Sequence, residues 1–450
     1  MATRGWLRAA TVLLLAGCAV VPLIFTTRFE DVFYLPKLIA LWILLAALIW
    51  LVAMAALQDQ IGQRFRLIGR VDVPVAAFVV LNVLALTFSV DKHQSLFGER
   101  LQYQGVLTTM LYVAFFYAAR LLLCDRRSLV LLLASVSFGA SCVSAYALVQ
   151  KVGLDPIWKG YLPGGRVFST IGQPDALAAY LVLAVPVTAV LVVLCRDALR
   201  VAALVALAAI IAALVLTESR SGFIGLSAAA LVFLFSAWDG VVEWLRGPRR
   251  RVTILVVIVV LVLVVAVVPA ARSQVTRVWH RESSQTAVTG DVDIGARFDM
   301  WRVAVRIIED HPVLGTGPET FPEEFPTYSS KVLPPSSVRY FSNFRVESPH
   351  DEVLSVAAGA GIPTALAYLA LLGGIAVTLW RTLRRTKDAV LRLAIVSVLS
   401  AGSGYFVTNS FNSSEIAGSW LFWTLLGAAV GISAATCATD TRSDARAVRR

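Results

Sequence analysis

The feature that most constrains this chain is a series of apolar runs, each close to the length that crosses a bilayer. About 20 helical residues span ~30 Å of hydrocarbon. Runs of that kind fall at about residues 6–25, 37–57, 73–90, 106–123, 129–149, 176–194, 201–217, 222–238, 253–270, 355–380, 389–407 and 416–436. The composition agrees: of 450 residues, 58% are hydrophobic and 15% charged, whereas soluble domains hold about 45–50% and about 25%. Residues 6–25 look like a signal peptide at first, but the run is long and further spans follow, so it reads as an uncleaved first helix. The expected fold is an all-α polytopic membrane protein of about twelve transmembrane helices. Residues 1–270 would hold helices one to nine with short outer loops. Residues 271–352 would form one large, partly helical extracytoplasmic loop, and residues 353–450 the last three helices and a basic cytoplasmic tail.

An even number of spans puts both termini on one side, and the basic residues say which. With the termini inside, the inner segments hold 23 Lys and Arg, the short outer loops eight, and the long segment 271–352 the remaining nine. Arg64, Arg66 and Arg70, Arg246 with Arg249 to Arg251, and Arg381, Arg384, Arg385 and Lys387 are the inner clusters. The net charge of +11 is therefore a topology signal and does not point to a nucleic-acid partner. The five cysteines (Cys18, Cys124, Cys142, Cys195, Cys437) form no CxxC and read as small apolar fillers. No charged side chain falls in the middle of a run, and all four histidines lie in loops. Ion-coupled carriers place such groups near the midplane, so the pattern disfavours transport.

Three outer segments carry candidate chemistry. Thr217-Glu218-Ser219-Arg220-Ser221-Gly222 puts an arginine in a tight outer turn. It could pair with Glu218, meet a lipid phosphate, or hold an anionic substrate. In 295–308, Phe298, Trp301, Ala304, Val305 and Ile308 recur at helical spacing, which predicts an interfacial amphipathic helix ended by His311-Pro312. A structural lid would explain that stripe. It would not explain Arg297, a cation in the first turn, where the dipole opposes it. Ser348-Pro349-His350-Asp351 predicts a capping box, with Ser348 as N-cap, Pro349 at the first helical position and His350 in the first turn. His350 there could be a capping residue or, as a neutral imidazole, a general base. Asp291-Val292-Asp293 has the form of a metal-binding acidic triplet but reads as a solvated loop.

Taken in order, these segments resemble the O-antigen ligase and O-antigen polymerase family of bacterial membrane glycosyltransferases. Gly98-Glu99-Arg100 followed by Gly105 resembles an outer-loop segment of that family. Arg166 to Leu181 resembles R-x-x-(S/G)-T-x-x-N-P-N-x-x-A-x-x-L, with Gln173 and Asp175 standing for the two asparagines. Ser219-Arg220-Ser221-Gly222 is similar to the family's S-R turn. Arg297 with Trp301, then Pro312 and Gly315-Thr316-Gly317, is similar to R-x-x-x-W with P-x-x-G-x-G. His350 with Leu354 and Gly361-Ile362-Pro363 is similar to H-N-x-x-L and a following glycine motif, with Asp351 in place of the asparagine and Pro363 ahead of an expected glycine.

The resemblance implies a GT-C-like architecture and an inverting, metal-independent transfer that needs no cofactor. The donor would be a glycan on undecaprenyl diphosphate at the outer face of the bacterial cytoplasmic membrane. Arg220 and Arg297 would hold the diphosphate, with Arg166 and Arg100 as further substrate-binding residues, and His350 would take the proton from an acceptor hydroxyl. Partners would be the lipid-linked donor, a lipid or polysaccharide acceptor and membrane lipids, with no nucleic acid. Transfer to protein hydroxyls, a small-anion carrier such as one for bicarbonate, and a structural scaffold are the alternatives left open.

Overall fold

A computed structural model of the chain describes residues 5–58, 69, 71–159, 161–245 and 294–447. Those residues are helical wherever they are regular, with no strand among them. Helices are what hydrocarbon permits, because a helix pairs its backbone N–H and C=O groups within one segment. The first nine are α1 Gly5–Val20, α2 Tyr34–Leu57, α3 Asp72–Thr87, α4 Lys92–Phe97, α5 Val106–Leu122, α6 Arg126–Lys151, α7 Pro174–Leu194, α8 Asp197–Leu216 and α9 Arg220–Leu245. Beyond residue 293 follow α10 Ile294–Asp310, α11 Phe321–Val332, α12 Pro335–Phe341, α13 Glu352–Ala360, α14 Ile362–Arg385, α15 Ala389–Asn409 and α16 Ile416–Ala447.

Among the described residues nine helices are long and apolar enough to cross a membrane, and α3 and α5 are shorter apolar helices. Eleven of the twelve predicted runs thus fall on apolar helices; the run at 253–270 lies outside the described residues, as does Asp291-Val292-Asp293. The run at 355–380 needs correction, because it is not one helix. It breaks at Gly361, which takes φ 88° as the C-cap of α13 and opens α14. A Cβ at Gly361 would strike the Val313 carbonyl, and Pro363 follows at the start of α14. The break is built from both sides of the chain.

The chain divides into two units. One gathers residues 1–132, 290–386 and 409–450, the other 133–289 and 387–408. In the first unit α16 packs against α5 through Gly427 and Gly431, where Cβ atoms would strike the backbone at Phe116 and Arg120. This is the small-residue spacing that lets two membrane helices approach closely. Trp420 of α16 is fully buried, edge-on to Phe115 at 5.3 Å between ring centroids. Arg120, at the end of α5, is paired with Asp72, at the start of α3. In the second unit α7 is buried along most of its length against α8 and α9. Gly222 of α9 faces the Ala178 and Leu214 side chains there.

The 318–347 stretch, which the sequence reading leaves unplaced, folds into α11 and α12. Phe321, Phe325, Tyr328 and Phe341 form a core beneath α10 together with Met300, Val303, Ala304 and Ile307. The predicted amphipathic helix therefore exists, and the stripe that it packs against protein lies beside the predicted interfacial one. Phe298 and Val305 are exposed, and residues 296, 300, 303, 304 and 307 are buried against protein.

Candidate active site

Arg297 lies in the first turn of α10, and Trp301 follows four residues later on the same face. The Trp301 indole Nε1 donates a 3.0 Å hydrogen bond to the carbonyl of Pro349, the residue before His350. Side chains four apart on a helix stand about 5–6 Å from each other at Cβ, so the anchored residue is one turn from Arg297. Arg297 is half-buried, and its Nε has no hydrogen-bond partner among the described residues. A buried guanidinium N–H without an acceptor is costly, and an anion would complete it.

His350 is not in the first turn of a helix. Asp351 is the N-cap, its carboxylate accepting from the Leu354 N–H at 2.8 Å, so α13 starts three residues later than a cap at Ser348 requires. Ser348 instead accepts from the His350 N–H at 3.1 Å and bonds the Ser413 hydroxyl. His350 itself has φ 52°, a left-handed conformation that non-glycine residues seldom take, histidine more readily than most. The imidazole is thus carried by a turn pinned at both ends rather than by the helix.

The far end of α13 is held by the strap Pro312–Thr320. Thr316 and Gly317 donate their N–H groups to the carbonyls of Ala358 (3.1 Å) and Gly359 (2.8 Å). Those are C-terminal helix carbonyls that the helix itself leaves unpaired. Carboxyls collect on this side of the unit. Burial raises Glu319 to about 8, helped by the Glu352 and Glu99 charges. Asp351 and Glu352 are raised too, chiefly by burial; the Leu354 and Val353 N–H groups oppose the shift in Asp351, and a Ser414 hydrogen bond opposes it in Glu352.

Arg220 belongs to the second unit and is the first residue of α9. The turn before it is anchored by Arg166, which is 1% exposed. Its Nε donates to the Thr217 carbonyl at 2.7 Å, and its guanidinium pairs with Asp175 at 2.8 Å. Glu218, with φ 52°, makes the sharp corner, and Ser219 and Ser221 hydroxyls bond each other at 3.0 Å.

Residues 204–369 match the family model described as O-antigen ligase. That segment of the chain is similar to the O-antigen ligase family. The match supports a membrane glycosyltransferase of the O-antigen ligase type, and with it the family read from the motifs. No curated protein matches the chain at a significant level.

The matched segment contains Arg220, Arg297 and His350; Arg166 and Arg100 precede it. Arg166 is committed to Asp175 and Thr217, and so positions the Arg220 turn. Arg100 is a surface residue in a two-oxygen pair with Glu30 at 2.6 Å. Its neighbour Glu99 is the built-in member of that motif: it is 6% exposed and accepts from Gln94 (2.7 Å) and Arg345 (2.9 Å). Arg345 also reaches Glu323 at 2.7 Å, tying α11 to the loop after α4. Sequence reading missed Glu99 and Arg345, which are 246 residues apart and share no local pattern.

Proposed function

We propose that the protein transfers a glycan from undecaprenyl diphosphate to an acceptor hydroxyl, with inversion, at the outer face of the bacterial cytoplasmic membrane. The observation that supports this reading is the Trp301–Pro349 hydrogen bond, which ties the helix that carries Arg297 to the turn that carries His350; the Arg297 Nε has no hydrogen-bond partner among the described residues. Arg297 binds the donor diphosphate. As the bond between the anomeric carbon and the phosphate oxygen breaks, charge grows on the leaving lipid diphosphate, and the fixed guanidinium group stabilises it. The acceptor oxygen forms the new bond to the anomeric carbon from the opposite face and gives its proton to His350. Ligation to a lipid and extension of a polymer differ only in the acceptor presented to that imidazole.

The test is complementation of a host lacking this protein. His350→Ala and Arg297→Ala should each abolish full-length surface glycan. In a turnover assay each should lose about 10²- to 10³-fold, the scale of a single transition-state donor. Restoration of wild-type glycan by both variants would sink the assignment.

A further inference from the structure

The loop from Asn409 to Glu415, between α15 and α16, lies against the His350 turn. Ser413 bonds Ser348, Ser414 bonds Glu352, and Phe411 faces Trp301 at 6.3 Å between ring centroids. None of these loop residues enters the transfer chemistry above. Yet the loop holds a concentration of unmet polar groups. Asn409 is 2% exposed, and both its Nδ2 and its Oδ1 lack hydrogen-bond partners among the described residues. The Nδ2 of Asn412, also 2% exposed, lacks one as well. Glu415, 6% exposed, is hydrogen-bonded to Tyr34, but its Oε2 has no partner among the described residues. Folded proteins rarely leave buried amides unpaired, and where they do the group awaits a ligand or an ordered water.

The chemistry of the set narrows the ligand. A carboxamide with both ends open offers a donor and an acceptor side by side, which matches a hydroxyl, itself both donor and acceptor. Glu415, protonated or ionised, offers a diphosphate no positive charge, so the loop does not duplicate the role that Arg297 would take. Burial, with the Glu347 charge adding, pushes the Glu415 carboxyl well above the usual carboxylate range, and either protonation state pairs with a hydroxyl. We propose that Asn409, Asn412 and Glu415 form a subsite for the hydroxyl groups of a pyranose at the His350 end of the site. This rests on the glycosyl-transfer reading and names the part of the substrate that the loop recognises, in either the donor or the acceptor sugar.

The test uses the full chain in lipid nanodiscs with Asn409→Leu, Asn409→Asp and Asn412→Leu. Two quantities are measured: affinity for undecaprenyl diphosphate without sugar, and KM for the lipid-linked glycan extracted from host membranes and for the acceptor. The subsite predicts sugar-free affinity within about twofold of wild type and a rise of about 5- to 10-fold in one KM, the effect of one or two lost hydrogen bonds. A rise for the donor places the donor sugar here; a rise for the acceptor places the acceptor sugar. Melting temperature should hold or rise in Asn409→Leu, because an unmet buried amide is removed. Unchanged KM values in all three variants would overturn the subsite. So would a fall in melting temperature with a matching loss of sugar-free affinity, the signature of amides met by structural water. The parent reading fails separately, if wild type has no affinity for undecaprenyl diphosphate or if Arg297→Ala leaves that affinity intact.

Discussion

Arg166 keeps its charge almost entirely out of water, and one carboxylate, Asp175, and one carbonyl, that of Thr217, compensate it. Removing one member of a buried pair leaves the other uncompensated, at about 3–5 kcal/mol. Arg166→Ala should therefore lower the melting temperature sharply, and Arg166→Met with Asp175→Leu should recover most of the loss; differential scanning of both variants checks this. The Asp175 that departs from the family's asparagine is thus the partner of the buried arginine. Glu319 makes the pH prediction. Its folded carboxyl holds a proton to about 8 against 4.5 in the reference state. Its contribution to stability is complete below 4.5 and disappears as pH rises through 8. Melting temperature measured across that window should fall less steeply in Glu319→Gln than in wild type.

At the scale of elements, the strap that caps α13 depends on glycine. Gly315 has φ 64°, and a Cβ there would run into the Gly359 backbone. Gly315→Ala should cost about 1 kcal/mol or more and open the strap to limited proteolysis between residues 311 and 320. An unchanged digestion pattern would remove the strap from the account of how α13 is held. The end of α10 is legible from His311-Pro312, because that is a local signal. The buried face is not. Phe298, Trp301, Val305 and Ile308 make a sound apolar stripe by spacing alone, while the tertiary core selects the neighbouring stripe through Met300, Val303 and Ile307. The Ser348 capping box fails for a similar reason: Ser413, 65 residues away, engages the hydroxyl that local sequence assigns to the cap. For α11, the signals are present in the chain, with aromatics at 321, 325 and 328, Glu323 and Glu324 in the first turn and Lys331 in the last.

At the scale of the whole molecule, the asymmetry of Lys and Arg makes a topological prediction. In a background without the native cysteines, Arg100→Cys should react with an impermeant maleimide in intact cells, and Lys387→Cys only after permeabilisation. The reverse pattern would put the Arg297 and His350 segments on the wrong side for a lipid-linked donor. The sequence by itself determined that the chain is a series of membrane-length helices, because hydrocarbon demands long uninterrupted apolar runs and nothing else explains them. It also determined which residue types carry the family's motifs. Only the tertiary structure decided that Trp301 ties α10 to the His350 turn, that Arg166 is a buried anchor, that the 355–380 run breaks at Gly361, and that the Asn409 and Asn412 amides are unmet among the described residues. The physical reason is that each of these depends on a hydrogen bond, a steric contact or a desolvated surface joining residues far apart in the chain, and periodicity carries no record of such pairings.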